Sequence, residues 1–545
     1  MAVQVPSVSC LSALVLCTTC LESPGLILLG YCKNYCHTLV ADRMEKHAND
    51  HPCDPDSESM KGYNYVVLER PIFIADHLLW KQDHHGNSDR SITIDQIWDC
   101  CGNSAHGKAL KDLCLSYALC RQLLNRRYFG DICPEATVLR GHDFVFTKLL
   151  PSEGDFRRAF RIIEVELGLC YDFFFTKYHY TFLSMESWLP LIPFLVLLKI
   201  ILIFTVGVFA FRKSLVIETP KPIIEVNSTD ADYIITILVL GIVLVVELVQ
   251  AAFYLASDLV QVSLACRYVK KNYNAANALI GRVIGFLRKV IIFGALRNKI
   301  NQASIIIQSV EPVEISDAVK AAIARGLIRT DGKLTNGEAL LRTNQMFDKC
   351  YWTFKDHSQF EIMFIWHITT EYCDISDDQT DGITRDNDRG VAVNLSRYCA
   401  YLIAAVPELL PYHEVDTREL KAKVLKERKQ LFGSYKHPEI YDIKKKLEEI
   451  EEGDDPVTVF KKGVQLGKQL ASMPDGLQRW KVMGDFWAET IIYVAPSHST
   501  AKQHMQHLEN GGEFLTHIWA LLSHAGILNL NRDKDQGAQE EPVSV

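Results

Sequence analysis

Two long apolar segments constrain this chain more than anything else in it. Leu189 to Phe211 reads LPLIPFLVLLKIILIFTVGVFAF, with Lys199 its one charge. Tyr233 to Leu255 reads YIITILVLGIVLVVELVQAAFYL, with Glu247 its one charge. At about 1.5 Å per residue, each is long enough to cross about 30 Å of hydrocarbon. Pro190 and Pro193 fall in the first turn, where their missing N–H groups cost little. Two buried helices of a soluble core would show a polar stripe, and neither segment has one. The expected fold class is mainly α: a helical membrane region with at least two transmembrane helices, about 189–211 and 233–255, followed by a cytosolic all-helical domain.

A lone charge deep in a bilayer costs several kcal/mol and usually finds a partner. Lys199 lies about 15 Å from the cytosolic end of its span, at Leu189, and Glu247 about 12 Å from the same side, at Leu255 on the returning helix. In an antiparallel hairpin the two are level to within about 3 Å, within reach of a lysine stem. An intramembrane Lys199–Glu247 pair is therefore expected. The alternatives are that each charge faces a different helix, or that Glu247 is protonated.

Flanking cations orient the hairpin. Arg267, Lys270, Lys271, Arg282, Arg288, Lys289, Arg297 and Lys299 follow the second span, and Arg157, Arg158 and Arg161 precede the first. The loop between the spans holds Arg212, Lys213 and Lys221. Both flanking regions are placed in the cytosol and the 212–232 loop outside. Ala278 to Leu296 mixes apolar and basic residues as a helix on an anionic membrane surface would, and as an ordinary packed helix also would. At the front, residues 5–31 are apolar but interrupted by Glu22, Pro24 and Gly25, and no cation precedes Lys33. A partial membrane helix fits this better than a signal peptide.

Composition excludes whole classes. The chain has 545 residues, 48% hydrophobic and 23% charged, so it is not a disordered or collagen-like polymer. A net charge of −8 argues against a general nucleic-acid binder. Twelve of the 16 cysteines lie in the first 170 residues. A lumenal location would make them a disulfide framework, whereas the cytosolic placement keeps them reduced. Cys17, Cys20, Cys32 and Cys36 have a zinc-like spacing, but the first pair sits within apolar sequence where thiols need no metal.

Beyond residue 311 the pattern is soluble and helical. Ser316 can cap a helix over 317–325, with Gly326 as its stop. Helices are expected at 357–372, 394–410, 457–472, 480–493 and 513–524, with Gly526 as a stop. The charged stretch 418–452 reads as a solvated helix or an insert, and 531–545 as a disordered tail. The domain division is thus 1–310 for the membrane region, 311–530 for the helical domain and 531–545 for the tail.

Phe360-Glu-Ile-Met-Phe-Ile-Trp-His-Ile-Thr-Thr-Glu371, Leu395-Ser-Arg-Tyr-Cys-Ala-Tyr-Leu402, Gly484-Asp-Phe-Trp-Ala-Glu489 and residues 511–526 (GGEFLTHIWALLSHAG) resemble the domain of unknown function 594. Glu164-Val-Glu-Leu-Gly-Leu-Cys-Tyr-Asp172 and 232–247 resemble the domain of unknown function 4220 that accompanies it in plant membrane proteins. The resemblance implies a plant source and a membrane location, and implies no known reaction. Such proteins carry more membrane helices upstream, and their Lys-Tyr-Gly-Glu-Arg-Thr stretch is eroded here to residues 33–38, so a start inside that domain is expected.

His367 and Glu371 share a helix face, as do Asp485 and Glu489; Glu513, His517 and His524 share a third. Three such helices could converge on a carboxylate–histidine cluster resembling a bundle metal site, although the usual spacing there is Glu-x-x-His. Buried groups that hydrogen-bond to one another explain the same pattern, so no metal or cofactor is assigned. Asp377 to Asp388 echoes a calcium loop, with Gln379 and Asp388 departing from it. No phosphate loop, dinucleotide fingerprint or nucleophile elbow is present. The leading expectation is a membrane-anchored interaction protein whose partners are the lipid bilayer and other proteins, not nucleic acid. The alternatives are a metal-dependent or hydrolytic enzyme using the His/Glu cluster, and a transporter subunit.

Overall fold

The computed structural model describes residues 91–101, 105–124, 135–175, 258–270, 299–307, 310–377, 388–410, 414–433, 440–450, 458–496 and 501–527, with single positions in 60–69 and 238–249. The expected span 189–211, the partial helix 5–31, the 531–545 tail, Lys199, Glu247, the Cys17–Cys36 set and most of the Asp377–Asp388 loop lie outside the described residues. Among the described residues no helix is long and apolar enough to cross a membrane. Six positions of the 233–255 segment are described, all helical, and Leu238, Ile242, Val245, Val246 and Val249 are exposed.

The chain is mainly helical, as its periodicity predicts, and it falls into two compact units. One comprises residues 1–118 and 172–294, the other 119–171 and 295–545. This differs from the sequential division expected at residue 310. The reason lies in the helix at 156–175, whose apolar face (Phe156, Phe160, Ile163, Leu167) is buried and whose Phe160 stacks on Phe514 at 5.9 Å.

In the first unit, strands β1 (Val66–Glu69) and β2 (Ser91–Thr93) pair antiparallel, with a register shift between Val66 and Leu68. Helix α1 (Ile94–Cys100) follows directly, closed by a Thr93/Gln96 capping box. Helix α2 (Ala105–Leu123) begins in this unit and ends in the other. With α1 and α5 (Asp258–Lys270) it supplies a core of Ile94, Ile97, Leu113, Cys114, Leu259, Val262 and Cys266.

The second unit is a helical assembly. Its longer helices are α3 (Glu135–Phe144), α4 (Phe156–Phe175, in this unit as far as Tyr171), α6 (Asp317–Thr330), α7 (Gln359–Ser376), α8 (Asp388–Ala405), α9 (Glu414–Phe432), α10 (Ile440–Glu448), α11 (Val459–Ala471), α12 (Gly476–Val494), α13 (Ala501–His507) and α14 (Phe514–His524). A two-residue pair, Lys299–Ile300 with Val313–Glu314, is its only strand pairing among the described residues.

Helix α7 is the axis of this unit. Ser358 and Glu361 form a capping box at its start, and every residue from Gln359 to Cys373 except Glu361 is buried. A helix apolar on all sides belongs at the centre of a bundle. It packs against α8, α9, α10 and α11, and its Trp366 stacks on Phe486 of α12 at 3.8 Å. Buried indoles need acceptors. Trp366 Nε1 donates to Thr353 at 3.3 Å and Trp487 Nε1 to Thr370 at 3.0 Å.

Two local expectations change. Ser316 does cap α6 through the Val319 N–H, but the helix runs through Gly326 to Thr330 and ends at the left-handed Asp331. Gly326 is instead a contact point, where the absent Cβ admits Ile492 of α12. The charged 418–452 stretch forms α9 and α10, which bury Val424, Phe432, Ile443 and Leu447. Apolar residues at helical spacing anchor it despite its dense charge.

Candidate functional site

His367 is 1% exposed and faces α8. Its Nε2 accepts the Ile305 backbone N–H at 3.2 Å, so the proton resides on Nδ1, which donates to Ser396 Oγ at 2.9 Å. A histidine that activates a serine must accept from the hydroxyl. Here the bond runs the other way. Burial pushes His367 down to about 4, against the opposing pull of the Glu371 carboxylate.

One turn later, Glu371 accepts Arg397 Nε at 2.6 Å and Nη2 at 3.3 Å. Burial raises its carboxyl, but Arg397 and His367 outweigh that and hold it below the usual carboxylate value. Arg397 also reaches Asp374 at 3.2 Å, and Arg389 binds Asp374 at 2.9 Å. The result is an alternating row, Glu371–Arg397–Asp374–Arg389, that fastens α7 to α8.

Asp485 and Glu489 meet a matching pair on α6. Arg329 bridges Asp485 at 3.0 Å and Glu489 at 2.8 Å, and Arg325 lies 3.3 Å from Asp485. Thr335 donates to the second Glu489 oxygen at 2.9 Å. Two acids four apart face two arginines four apart, each on one helix face.

Glu513, at the start of α14, accepts from Tyr401 at 3.0 Å and from Tyr398 and Asn301 at 3.4 Å each. Burial raises its carboxyl despite these donors. His517 Nδ1 is 3.3 Å from the Glu513 carbonyl, and burial pushes this histidine down as well. His524 Nε2 lies 2.7 Å from Glu166 Oε1 of α4, both wholly buried. His517 and His524 thus face the core, as their apolar neighbours predict.

The structure brings Glu513 and His517 together on α14. It gives His367 and Glu371, Asp485 and Glu489, and His524 their own separate partners. Among the described residues no group of three His, Cys, Asp or Glu is placed to hold a metal ion. Sequence spacing missed the cationic halves, although Arg325 and Arg329 carry the same four-residue signal as the acids they meet. It also missed His504, wholly buried, with Nδ1 3.0 Å from Thr516 and its ring stacked on Trp519 at 4.7 Å.

Burial pushes His504 down to about 3 from an ordinary 6.5. Its folded value lies below the unfolded one, so the stability it carries is complete above pH 6.5 or so and is lost as pH falls toward 3. The expected slope is about 1.4 kcal/mol per pH unit. Relative to His504→Phe, the parent should therefore lose about 2 kcal/mol between pH 7 and pH 5. Denaturant titrations at the two pH values check this, and a pH-independent difference would refute it.

The family profile described as Domain of unknown function (DUF4220) matches residues 2–307, and that described as Protein of unknown function, DUF594, matches residues 473–527. No curated protein and no solved structure matches the chain. The polar contacts cross between the two matched segments: Asn301 reaches Glu513, and Glu166 reaches His524. Both contacts lie inside the second compact unit, so the DUF594 segment folds against the end and the middle of the DUF4220 segment. With more than half of its length matched by that profile, the chain belongs to the DUF4220 family and carries a DUF594 segment near its C-terminal end.

Proposed function

We propose that this chain is an integral membrane protein whose helical second unit is a cytosolic docking body for other proteins. The observation that carries the membrane part is the pair of segments 189–211 and 233–255, each apolar throughout but for one charge. The exposed Leu238, Ile242, Val245, Val246 and Val249 add support. They recur at helical spacing on a face that protein leaves uncovered by 46–62%. Lys199 and Glu247 pair across the hairpin in this reading. What favours docking over catalysis is that His367, Glu371, Asp485, Glu489, Glu513 and His524 are each committed to a neighbouring helix or segment. A reactive group needs a free face toward substrate.

The test is extraction of the full-length chain from membranes. Alkaline carbonate should leave it in the pellet, and release into the supernatant would overturn the membrane reading. Glu247→Gln should weaken detergent resistance, and exchanging Lys199 and Glu247 should partly restore it; an unaffected Glu247→Gln chain would refute the pair. Stoichiometric zinc, iron or manganese in the purified protein would favour the metal-dependent enzyme instead.

A further inference from the structure

Helices α2 and α4 bring two thiols into contact in the second unit. Cys120 Sγ and Cys170 Sγ are 3.3 Å apart, and both residues are 0% exposed. Buried cysteines are commonly small hydrophobes with no chemistry of their own. This pair has a second feature beside it. Glu166, four residues before Cys170 on α4 and so on the same face, is wholly buried and holds one oxygen, Oε1, on His524. Its other oxygen, Oε2, has no hydrogen-bond partner among the described residues. A buried carboxylate oxygen without a partner is costly unless it has a task. The carboxylate is near enough to Cys120 to add to the forces that keep that thiol protonated.

We propose that Cys120 and Cys170 are an oxidisable dithiol that a small hydroperoxide closes to a disulfide, with Glu166 Oε2 taking the thiol proton. Burial and the neighbouring thiol push Cys120 well above the usual thiol range, so its thiolate forms only when a nearby base accepts the proton. Burial also raises the Glu166 carboxyl, against the pull of His524, and a raised carboxyl is the better base for a thiol. The Cys120 thiolate attacks one peroxide oxygen. The S–O bond forms, the O–O bond breaks, and the leaving hydroxide or alkoxide takes the proton from Glu166 as water or alcohol. The Cys170 thiol then attacks the sulfenic sulfur; the S–S bond forms, and the S–O bond breaks with loss of water. The two thiols lose two electrons and two protons, and the peroxide gains them. Burial restricts this to small oxidants, so the closed pair is a slow latch between α2 and α4 and not a fast sensor.

The experiment treats the purified full-length protein in detergent with hydrogen peroxide and blocks the remaining thiols with N-ethylmaleimide. Trypsin then releases Asp112–Arg121 and Ile162–Lys177. The expected product is these two peptides joined and lighter by two hydrogen atoms than their sum, with fragment ions assigning the bridge to Cys120 rather than Cys114. Closing a loop of about 50 residues should raise the melting temperature of the oxidised protein by about 5 °C or more, and Cys170→Ala should abolish both the joined peptide and the rise. Glu166→Gln should slow closure by about tenfold or more; closure at the parental rate would remove Glu166 from the step. Recovery of Cys120 and Cys170 as separate alkylated thiols, under peroxide that oxidises the exposed Cys100, would overturn the proposal.

Discussion

Replacing Arg397 by Met should destabilise the helical unit by about 3–5 kcal/mol, because it strands a buried carboxylate. Glu371 is 1% exposed, and its two oxygens accept from Arg397 Nε and Nη2. Burial alone would raise its carboxyl, and the guanidinium reverses that. In the parent, the folded value therefore lies below the unfolded one, so the pair stabilises above the unfolded pKa and is lost as pH falls through the folded one. Without Arg397 the sign inverts. The folded carboxyl then binds its proton more tightly than the unfolded one, and the deficit of Arg397→Met should shrink on acidification. Arg397→Met combined with Glu371→Leu should recover most of the loss, since a hydrophobic replacement of a whole buried pair is often neutral. Denaturant unfolding followed through the buried Trp366, Trp487 and Trp519 gives the three stabilities. A loss below about 1 kcal/mol for the single variant would put this pair among ordinary surface ion pairs and refute the account.

The helices were legible because their apolar residues recur with a period of 3.6, and their limits were legible where a side chain caps them. Ser316 is such a case, and the left-handed Gly526 marks another end, whereas the Ser358/Glu361 box was not picked out from the sequence. Gly326 misleads for a physical reason: a glycine marks either a left-handed stop or a close approach, and only the position of α12 decides which. The acids and histidines of the candidate site were legible as faces, since residues four apart on a helix must share one. Their destinations were not. Arg325 meets Asp485 across 160 residues of chain, and Glu166 meets His524 across 358. Spacing within one helix says nothing about which second helix it faces. For the same reason the pattern could not separate a convergent cluster from four separate fastenings. The grouping of α4 with the C-terminal helices was hidden as well, because an apolar stripe states that a face is covered but not by what.

The same substitution, Gly to Ala, should have opposite effects at two places in this unit. Helix α11 crosses α7 with its backbone pressed against it at Gly463 and Gly467. A Cβ at Gly463 would lie 2.6 Å from Ile368 Cβ and 2.9 Å from the Ile365 carbonyl, and one at Gly467 would lie 2.8 Å from Tyr372 Cβ. These are backbone and branch-point atoms of the central helix, which cannot swing aside as the end of a long side chain can. The close approach is also bonded, since Thr369 Oγ1 donates to the Gly463 carbonyl at 2.9 Å. Adding the methyl groups must lift α11 outward, stretching that bond and uncovering Phe460, Val464 and Leu470, all buried against the core. Overpacking of this kind costs about 1–3 kcal/mol per site, and Gly463 and Gly467 are neighbours on one face. Replacing glycine by alanine inside a helix returns up to about 1 kcal/mol per site. The clash wins, and Gly463→Ala/Gly467→Ala should lose about 3 kcal/mol or more in total. At Gly168, inside α4, a Cβ would meet nothing within 4 Å among the described residues. There only the helix propensity remains, so Gly168→Ala should gain about 0.5–1 kcal/mol. Urea melts of the parent and the two variants decide the matter. A double variant as stable as the parent would mean that α11 does not lie against α7 as closely as these distances require.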